Sequence, residues 1–254
     1  MQKKIKPTVS ILLPVHNSEK HLTDCLRSLL KQTYRPIEII AIDDSSTDNS
    51  YKILLKFKKR DKRVRVYKNI KRYGYEITLN RLFTKTKGQF IGFADADDIF
   101  EKEKIKKQHD FLLENPQVVA VGTQCRFINE ANKRIGKSNY PAKNRLIYQN
   151  PLHGISLQFE TLLINRYNLP KDVLKVNTNS HPFTYSDFLM KLLPYGKFAN
   201  LTQYLYLHRR NPQDYFSDIK QNLLSLAKLW IKSAADYDYR PSIRSVFGSV
   251  VKTS

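Results

Sequence analysis

Cysteine is scarce in this chain. Cys25 and Cys125 are the only two, far apart and without ligand-like spacing, which argues against a disulfide framework and against a zinc site. Cys25 falls at helical spacing among leucines and reads as a buried thiol. No apolar run approaches the roughly 18 uncharged residues that a membrane-spanning helix needs. The opening Met1–Pro7 is basic and runs straight into a strand, without the apolar region or cleavage site of a signal peptide, so a cytoplasmic protein is expected. No Gly-x-Gly-x-x-Gly follows the first strand, against an ordinary dinucleotide-binding domain. Repeats and low-complexity segments are missing as well.

Acid is in short supply: 23 Asp and Glu stand against 44 Lys and Arg, a formal net charge of +21. That balance favours acidic partners, whether nucleic acid, anionic lipid or phosphorylated substrates. The denser basic patches, Lys56–Arg65 and Lys102–Lys107, match no nucleic-acid-binding motif. With 254 residues, 41% of them hydrophobic, the chain can build one large α/β domain or a domain with a small appendage.

Strands and helices alternate through the first half. Val9–Val15 reads as a strand stopped by Pro14, and Leu22, Cys25, Leu26, Leu29 and Leu30 follow at helical spacing. Ile37–Ile42 is the second strand, with a helix through Ile53, Leu54 and Phe57 behind it. Strand Val64–Tyr67, helix Ile77–Phe83, strand Phe90–Ala94, a helix through Ile105 and Leu112, and strand Val118–Gly122 complete the pattern. Such alternation predicts βαβ units and a mostly parallel sheet, with ligands bound outside the strand C-terminal ends. Beyond Gly122 the alternation fades: Arg126–Arg145 reads as a polar hairpin or loop. Thr184–Leu193 reads as a short amphipathic helix, Tyr204–His208 as a strand, and the tail from Asp218 as a helix through Trp230 with a basic, Ser-rich end.

The stretch Phe90–Asp98 draws the chemistry together. A short apolar strand ends in Asp95, Asp97 and Asp98, and carboxylates so crowded resist ionisation unless a cation compensates. Oxygen ligands suit Mg²⁺ or Mn²⁺, which bind through one or two carboxylates plus substrate phosphates. Capping of the next helix would account for one of these acids and not for three. Pro14-Val15-His16-Asn17 and Asp43-Asp44-Ser45 mark two further strand ends, which can converge on the same crevice; a cap or an Asx turn is the alternative reading of the latter pair.

These strand ends, in this order and with Gln32-Thr33-Tyr34 and Lys87–Ile91 between them, resemble family 2 glycosyltransferases. The resemblance implies a GT-A fold over residues 1–217, with a nucleotide-sugar-binding half at 8–122 and an acceptor-side half at 123–217, followed by a helical tail at 218–254. It further implies a UDP-sugar donor, a divalent metal (Mn²⁺ or Mg²⁺) and inversion at the anomeric carbon. Pro14, His16 and Asn17 would line the nucleotide pocket, His16 standing where Tyr or Phe is commoner. Asp44 would accept the uracil imide N–H. Asp95, Ala96 and Asp97 would meet ribose and diphosphate, with the metal on Asp97 and Asp98. Asn69 and Gly74 look like a stretched form of the family's Asn-x-Gly segment. Ser186-Asp187-Phe188 resembles the Glu-Asp-aromatic signature whose Asp is the catalytic base, and Arg209 would lie near the diphosphate, while His153 is a second candidate base.

On this reading the protein moves a sugar to a hydroxyl of a glycan or lipid-linked acceptor in cell-surface polysaccharide or lipooligosaccharide synthesis. The basic charge and the tail around Trp230 would hold it against the inner face of an anionic membrane, with no nucleic acid bound. Two rivals are a nucleotidyltransferase, which would want a basic or Gly-rich phosphate loop where Pro14–Glu19 stands, and a basic nucleic-acid-binding domain, which has no use for acidic strand ends.

Overall fold

A computed structural model describes residues 9–167, 169–170, 172–210, 221–237 and 239. The basic opening segment, Asp218 with the expected tail boundary, and the Ser-rich end lie outside these residues.

The first half builds a parallel sheet. Strands β1 (Val9–Val15), β2 (Ile37–Asp43), β3 (Val64–Lys68) and β4 (Phe90–Phe93) pair in the order β3-β2-β1-β4, all parallel. Helices α1 (Leu22–Leu30), α2 (Ser50–Arg60) and α3 (Tyr75–Phe83) make the crossovers. Pro14 does not stop β1; it lies inside the strand, in register with Ile42. Leu12 accepts from the Ala94 N–H and so faces β4. Pro14 faces the same side two residues on, where β4 has ended, so its missing N–H leaves no ladder bond unmade.

The second half extends the sheet with mixed strands. After β5 (Ile99–Phe100) and α4 (Lys104–Glu114) come β6 (Val118–Ile128), β7 (Arg134–Lys137), α5 (Asn144–Gln149), β8 (Leu163–Asn165), α6 (Thr184–Leu192), β9 (Lys197–His208) and α7 (Leu223–Asp236). The full order is β3-β2-β1-β4-β8-β6-β9-β5, with β7 hairpinned onto β6. β8 runs antiparallel to β4 and β6, and β6 pairs parallel with β9. The expected strand at Val118–Gly122 therefore continues six residues further, and the expected hairpin hangs from it. β9 begins at Lys197 rather than Tyr204; Asn200, Thr202 and Gln203 interrupt the apolar alternation that marks a strand, which hides its first part in the sequence.

Alternation along β1 sorts the core onto the two sheet faces. Val9, Ile11, Leu13 and Val15 pack with Leu22, Cys25, Leu26 and Leu29 of α1. Leu12, Ile40 and Ile42 face Leu79 and Leu82 of α3, Phe188 and Leu189 of α6, and Leu226, Leu229 and Trp230 of α7. Each such buried side chain contributes about 1.5–3 kcal/mol relative to exposure. Trp230 is thus a core residue, not a membrane-facing one; the outer side of α7 instead exposes Leu223, Leu224 and Ile231. Among the described residues no helix is long and apolar enough to cross a membrane.

Candidate active site

The C-terminal ends of β1, β2 and β4 meet as expected. His16 Nδ1 lies 2.9 Å from the backbone oxygen of Asp44, and Asn17 Oδ1 accepts the Thr47 N–H at 2.8 Å. The β1 exit is thereby fastened to the β2 exit. Asp43 is buried and accepts the Ser46 N–H, three residues on, at 3.2 Å.

Asp44 does more. Its carboxylate accepts Asn69 Nδ2 at 2.6 Å, the Tyr73 N–H at 2.9 Å and the Gly74 N–H at 2.8 Å. Gly74 has φ +88°, a left-handed conformation that favours glycine, and stands at the N-cap of α3. Burial pushes the Asp44 carboxyl up, but the bonds from Asn69, Tyr73 and Gly74 outweigh it and hold it below the usual carboxylate range. Thr78 also bonds this carboxylate, which is buried at 3% exposure.

At the end of β4 the acids crowd as the sequence predicts. Burial raises Asp95 first, and Asp98, Glu160 and Asp97 add to it, bringing its carboxyl to about 7. Asp97, half-buried, is raised by burial despite the charges of His21 and Arg209, and its N–H donates to Asp95 Oδ1 at 3.2 Å. Ala96 between them is buried. Asp98 behaves differently from its neighbours. It is 1% exposed, with Oδ2 2.6 Å from His208 Nδ1 and Oδ1 accepting the Arg209 N–H at 2.7 Å. Both oxygens of this expected metal ligand are turned inward onto β9. The Arg209 guanidinium reaches across: Nε donates to the Asp97 carbonyl at 3.0 Å and Nη2 to Asn132 Oδ1 at 2.7 Å. It braces the β4 end against the β6–β7 turn. Among the described residues no set of three or more His, Cys, Asp or Glu side chains converges as a metal cage. A divalent ion that relies on substrate phosphates needs none, and the crowded pair Asp95 and Asp97 fits that donor chemistry.

Two placements depart from expectation. Asp187 sits on α6, but Oδ1 accepts Lys232 Nζ at 2.6 Å and the Tyr237 hydroxyl at 3.1 Å. At 1% exposure it faces the C-terminal helix, not the strand ends. The reason is helical geometry: two residues rotate a side chain by about 200°. Tyr185, two residues earlier, points the other way, stacking on Phe159 at 4.4 Å and meeting His153 at 4.6 Å. The polar side expected of α6 is absent, since Thr184, Ser186 and Asp187 are all buried. His153 is half-buried, its Nδ1 3.2 Å from the Phe159 N–H, and burial pulls its pKa well below the usual range.

Glu160 is the second departure, an acid that the sequence reading passed over. It lies in a 3-10 turn, Phe159–Thr161, just before β8. The Phe159 ring packs on Phe93 at 4.2 Å, which holds this turn against the end of β4, and Glu160 lies within electrostatic reach of Asp95. Its one signal was a lone acid within the mostly apolar run Leu157–Ile164.

The sequence model of the family described as "Glycosyl transferase family 2" matches residues 10–173. The chain belongs to glycosyl transferase family 2. An Escherichia coli relative, "UDP-Glc:alpha-D-GlcNAc-diphosphoundecaprenol beta-1,3-glucosyltransferase WfgD", is 30% identical over 165 residues, 64% of each chain. The S. aureus TarS 1–349 crystal structure superposes with a TM-score of 0.72 at 19% identity, covering 97% of this chain and 71% of that one. Mannosyltransferase PcManGT from Pyrobaculum calidifontis gives a TM-score of 0.70 at 14% identity, over 98% of this chain and 70% of its own. The fold is accordingly GT-A. The family 2 chain spans 64%, 40% and 63% of the length of three curated relatives that it matches.

Proposed function

We propose that this family 2 chain transfers a sugar from a UDP-sugar, with inversion, to a hydroxyl of a glycan or lipid-linked acceptor in cell-surface polysaccharide or lipooligosaccharide synthesis. The observation that carries the proposal is the acidic end of β4, where Asp95 and Asp97 crowd beside the β1 and β2 exits. WfgD's name specifies a UDP-glucose donor and a lipid diphosphate acceptor, and TarS has been solved with UDP and with UDP-GlcNAc. PcManGT has been solved with GDP-Man and Mn²⁺.

His16 and Asn17 would flank the base, Pro14 would shape the pocket wall behind it, and Asp44 Oδ2 would accept the uracil imide N–H. Asp95 would meet the ribose, with Ala96 leaving room beside it. Asp97 would hold Mn²⁺ or Mg²⁺, which when bound neutralises the departing diphosphate. Asp98 and His208 would fix the Asp97 turn from behind, with Arg209 a further positive charge near the diphosphate. Nucleotidyl transfer fits less well, for Pro14–Glu19 is no phosphate loop, and a nucleic-acid surface would be repelled by these acids. UDP release from UDP-glucose and UDP-GlcNAc, with Mn²⁺ and then with chelator, tests the reading: turnover that chelator abolishes supports it.

Association with the cytoplasmic face of an anionic membrane belongs to the same proposal, now through the outer side of α7. Leu224 and Ile231 are exposed there beside Lys228. Low-salt pelleting with phosphatidylglycerol vesicles, lost on Leu224→Ser with Ile231→Ser, is the expected result.

A further inference from the structure

We propose that Glu160 is the general base of the transfer, an inference that rests on the sugar-transfer reading above. A single displacement needs a carboxylate or imidazole near the donor's anomeric carbon, free to take a proton. Asp187 fails on geometry, because Lys232 and Tyr237 occupy it on the far side of α6. Asp98 fails because His208 and the Arg209 N–H take both its oxygens. The His153 Nδ1 is occupied by the Phe159 N–H.

Glu160 meets the requirement from several directions. The Phe159–Phe93 contact at 4.2 Å holds its turn against the β4 end, and its charge reaches Asp95, one of the acids assigned to the donor. Gln158 Nε2 holds its Oε2 at 2.6 Å, and the same nitrogen lies 3.3 Å from His208 Nε2. Among the described residues the carboxylate is oriented by an amide and makes no direct ion pair, although the His208 charge acts on it. Tyr75 of α3, Tyr185 of α6 and Asp95 all lie within its electrostatic reach. Burial first, with Asp98 adding to it against the His208 charge, raises its affinity for a proton, as a base needs.

In the step assigned to it, the acceptor oxygen attacks the anomeric carbon while its proton passes to Glu160. The bond from that carbon to the diphosphate oxygen breaks, and its electron pair leaves with UDP. The proton on Glu160 is then released to solvent. Water serves as acceptor by the same route, so the step can be measured without knowing the natural acceptor.

The test compares Glu160→Gln, Glu160→Asp, Glu160→Ala and Asp187→Asn by UDP release from UDP-glucose and UDP-GlcNAc, alongside UDP calorimetry with Mn²⁺. Glu160→Gln is expected to bind UDP within twofold of the parent and lose kcat by roughly 10²–10⁴-fold, the usual worth of a positioned base. Glu160→Asp should keep more turnover than Glu160→Gln, and formate should restore part of the Glu160→Ala loss. Asp187→Asn should lower the melting temperature and leave kcat of the folded fraction near the parent's. Near-parental kcat in Glu160→Gln overturns the assignment. So does a Glu160→Ala loss that formate cannot restore, or a kcat loss in folded Asp187→Asn equal to that of Glu160→Gln. Absence of UDP release by the parent itself, by contrast, counts against the sugar-transfer reading.

Discussion

Asp98 Oδ2 lies 2.6 Å from His208 Nδ1, and this buried contact ties the end of β4 to the end of β9 across 110 residues of sequence. Burial alone would keep His208 neutral, yet the Asp98 carboxylate outweighs it and lifts the imidazole from 6.5 to about 9. The acid that looked like a metal ligand is thus the anchor of the turn that presents Asp97.

Breaking that pair is expected to be costly. Asp98→Asn should destabilise the fold by about 3–5 kcal/mol, because a buried cation loses its partner. The sign with pH follows from the raised pKa. The His208 contribution is complete below 6.5 and is lost as pH rises through about 9. Urea melts of parent and Asp98→Asn from pH 6 to 9.5 should converge at the alkaline end.

Lys104 predicts the opposite behaviour. It is wholly buried, with Nζ 2.9 Å from Gln108 Oε1 and 4.4 Å from the Phe100 ring centroid. Burial lowers its pKa from 10.5 to about 7. Between those values the unfolded chain holds the proton that the folded chain has shed, so this residue's contribution to stability rises with pH. Lys104→Met should raise stability at pH 6 by about 1–4 kcal/mol, as replacement of a buried charge by an apolar group often does. Its advantage over the parent should shrink toward pH 10; an unchanged advantage would contradict the burial argument.

Asp44→Ala should act on fold and ligand together. Loss of the carboxylate strips partners from the Tyr73 and Gly74 N–H groups at the start of α3, at about 1–3 kcal/mol. It also removes the acceptor for the uracil imide, a bond to a charged group worth about 1.5–3 kcal/mol. UDP affinity should fall about tenfold or more on that scale, while CDP, which lacks the imide proton, should bind the parent weakly and lose little. Equal parental affinity for UDP and CDP would remove this pocket assignment.

The first half of the fold was legible because its strands are apolar, short and separated by helical periodicity, and each ends in a polar cluster. β5 and β8 were not, at two and three residues, because so short a run carries no period. The acidic cluster could be read as a cluster, but not which acid points inward, since His208 stands 110 residues away. Asp187 shows the same limit in a sharper form. A signature resemblance placed it on the right helix, while its direction was decided by Lys232 and Tyr237 on an element that the resemblance did not cover. Glu160 comes to the β4 end through the packing of Phe159 on Phe93, a tertiary contact that its local sequence barely marks.

The account stands most directly on Asp97. Calorimetry of UDP binding to the parent and to Asp97→Asn, each with Mn²⁺ and with chelator, measures whether this acid carries the metal-assisted diphosphate contact. The expected result is UDP binding by the parent with Mn²⁺ that chelator weakens at least tenfold, and a folded Asp97→Asn variant whose weak binding Mn²⁺ does not improve. Parental UDP affinity indifferent to chelator, or a Mn²⁺-dependent gain undiminished in Asp97→Asn, would contradict it.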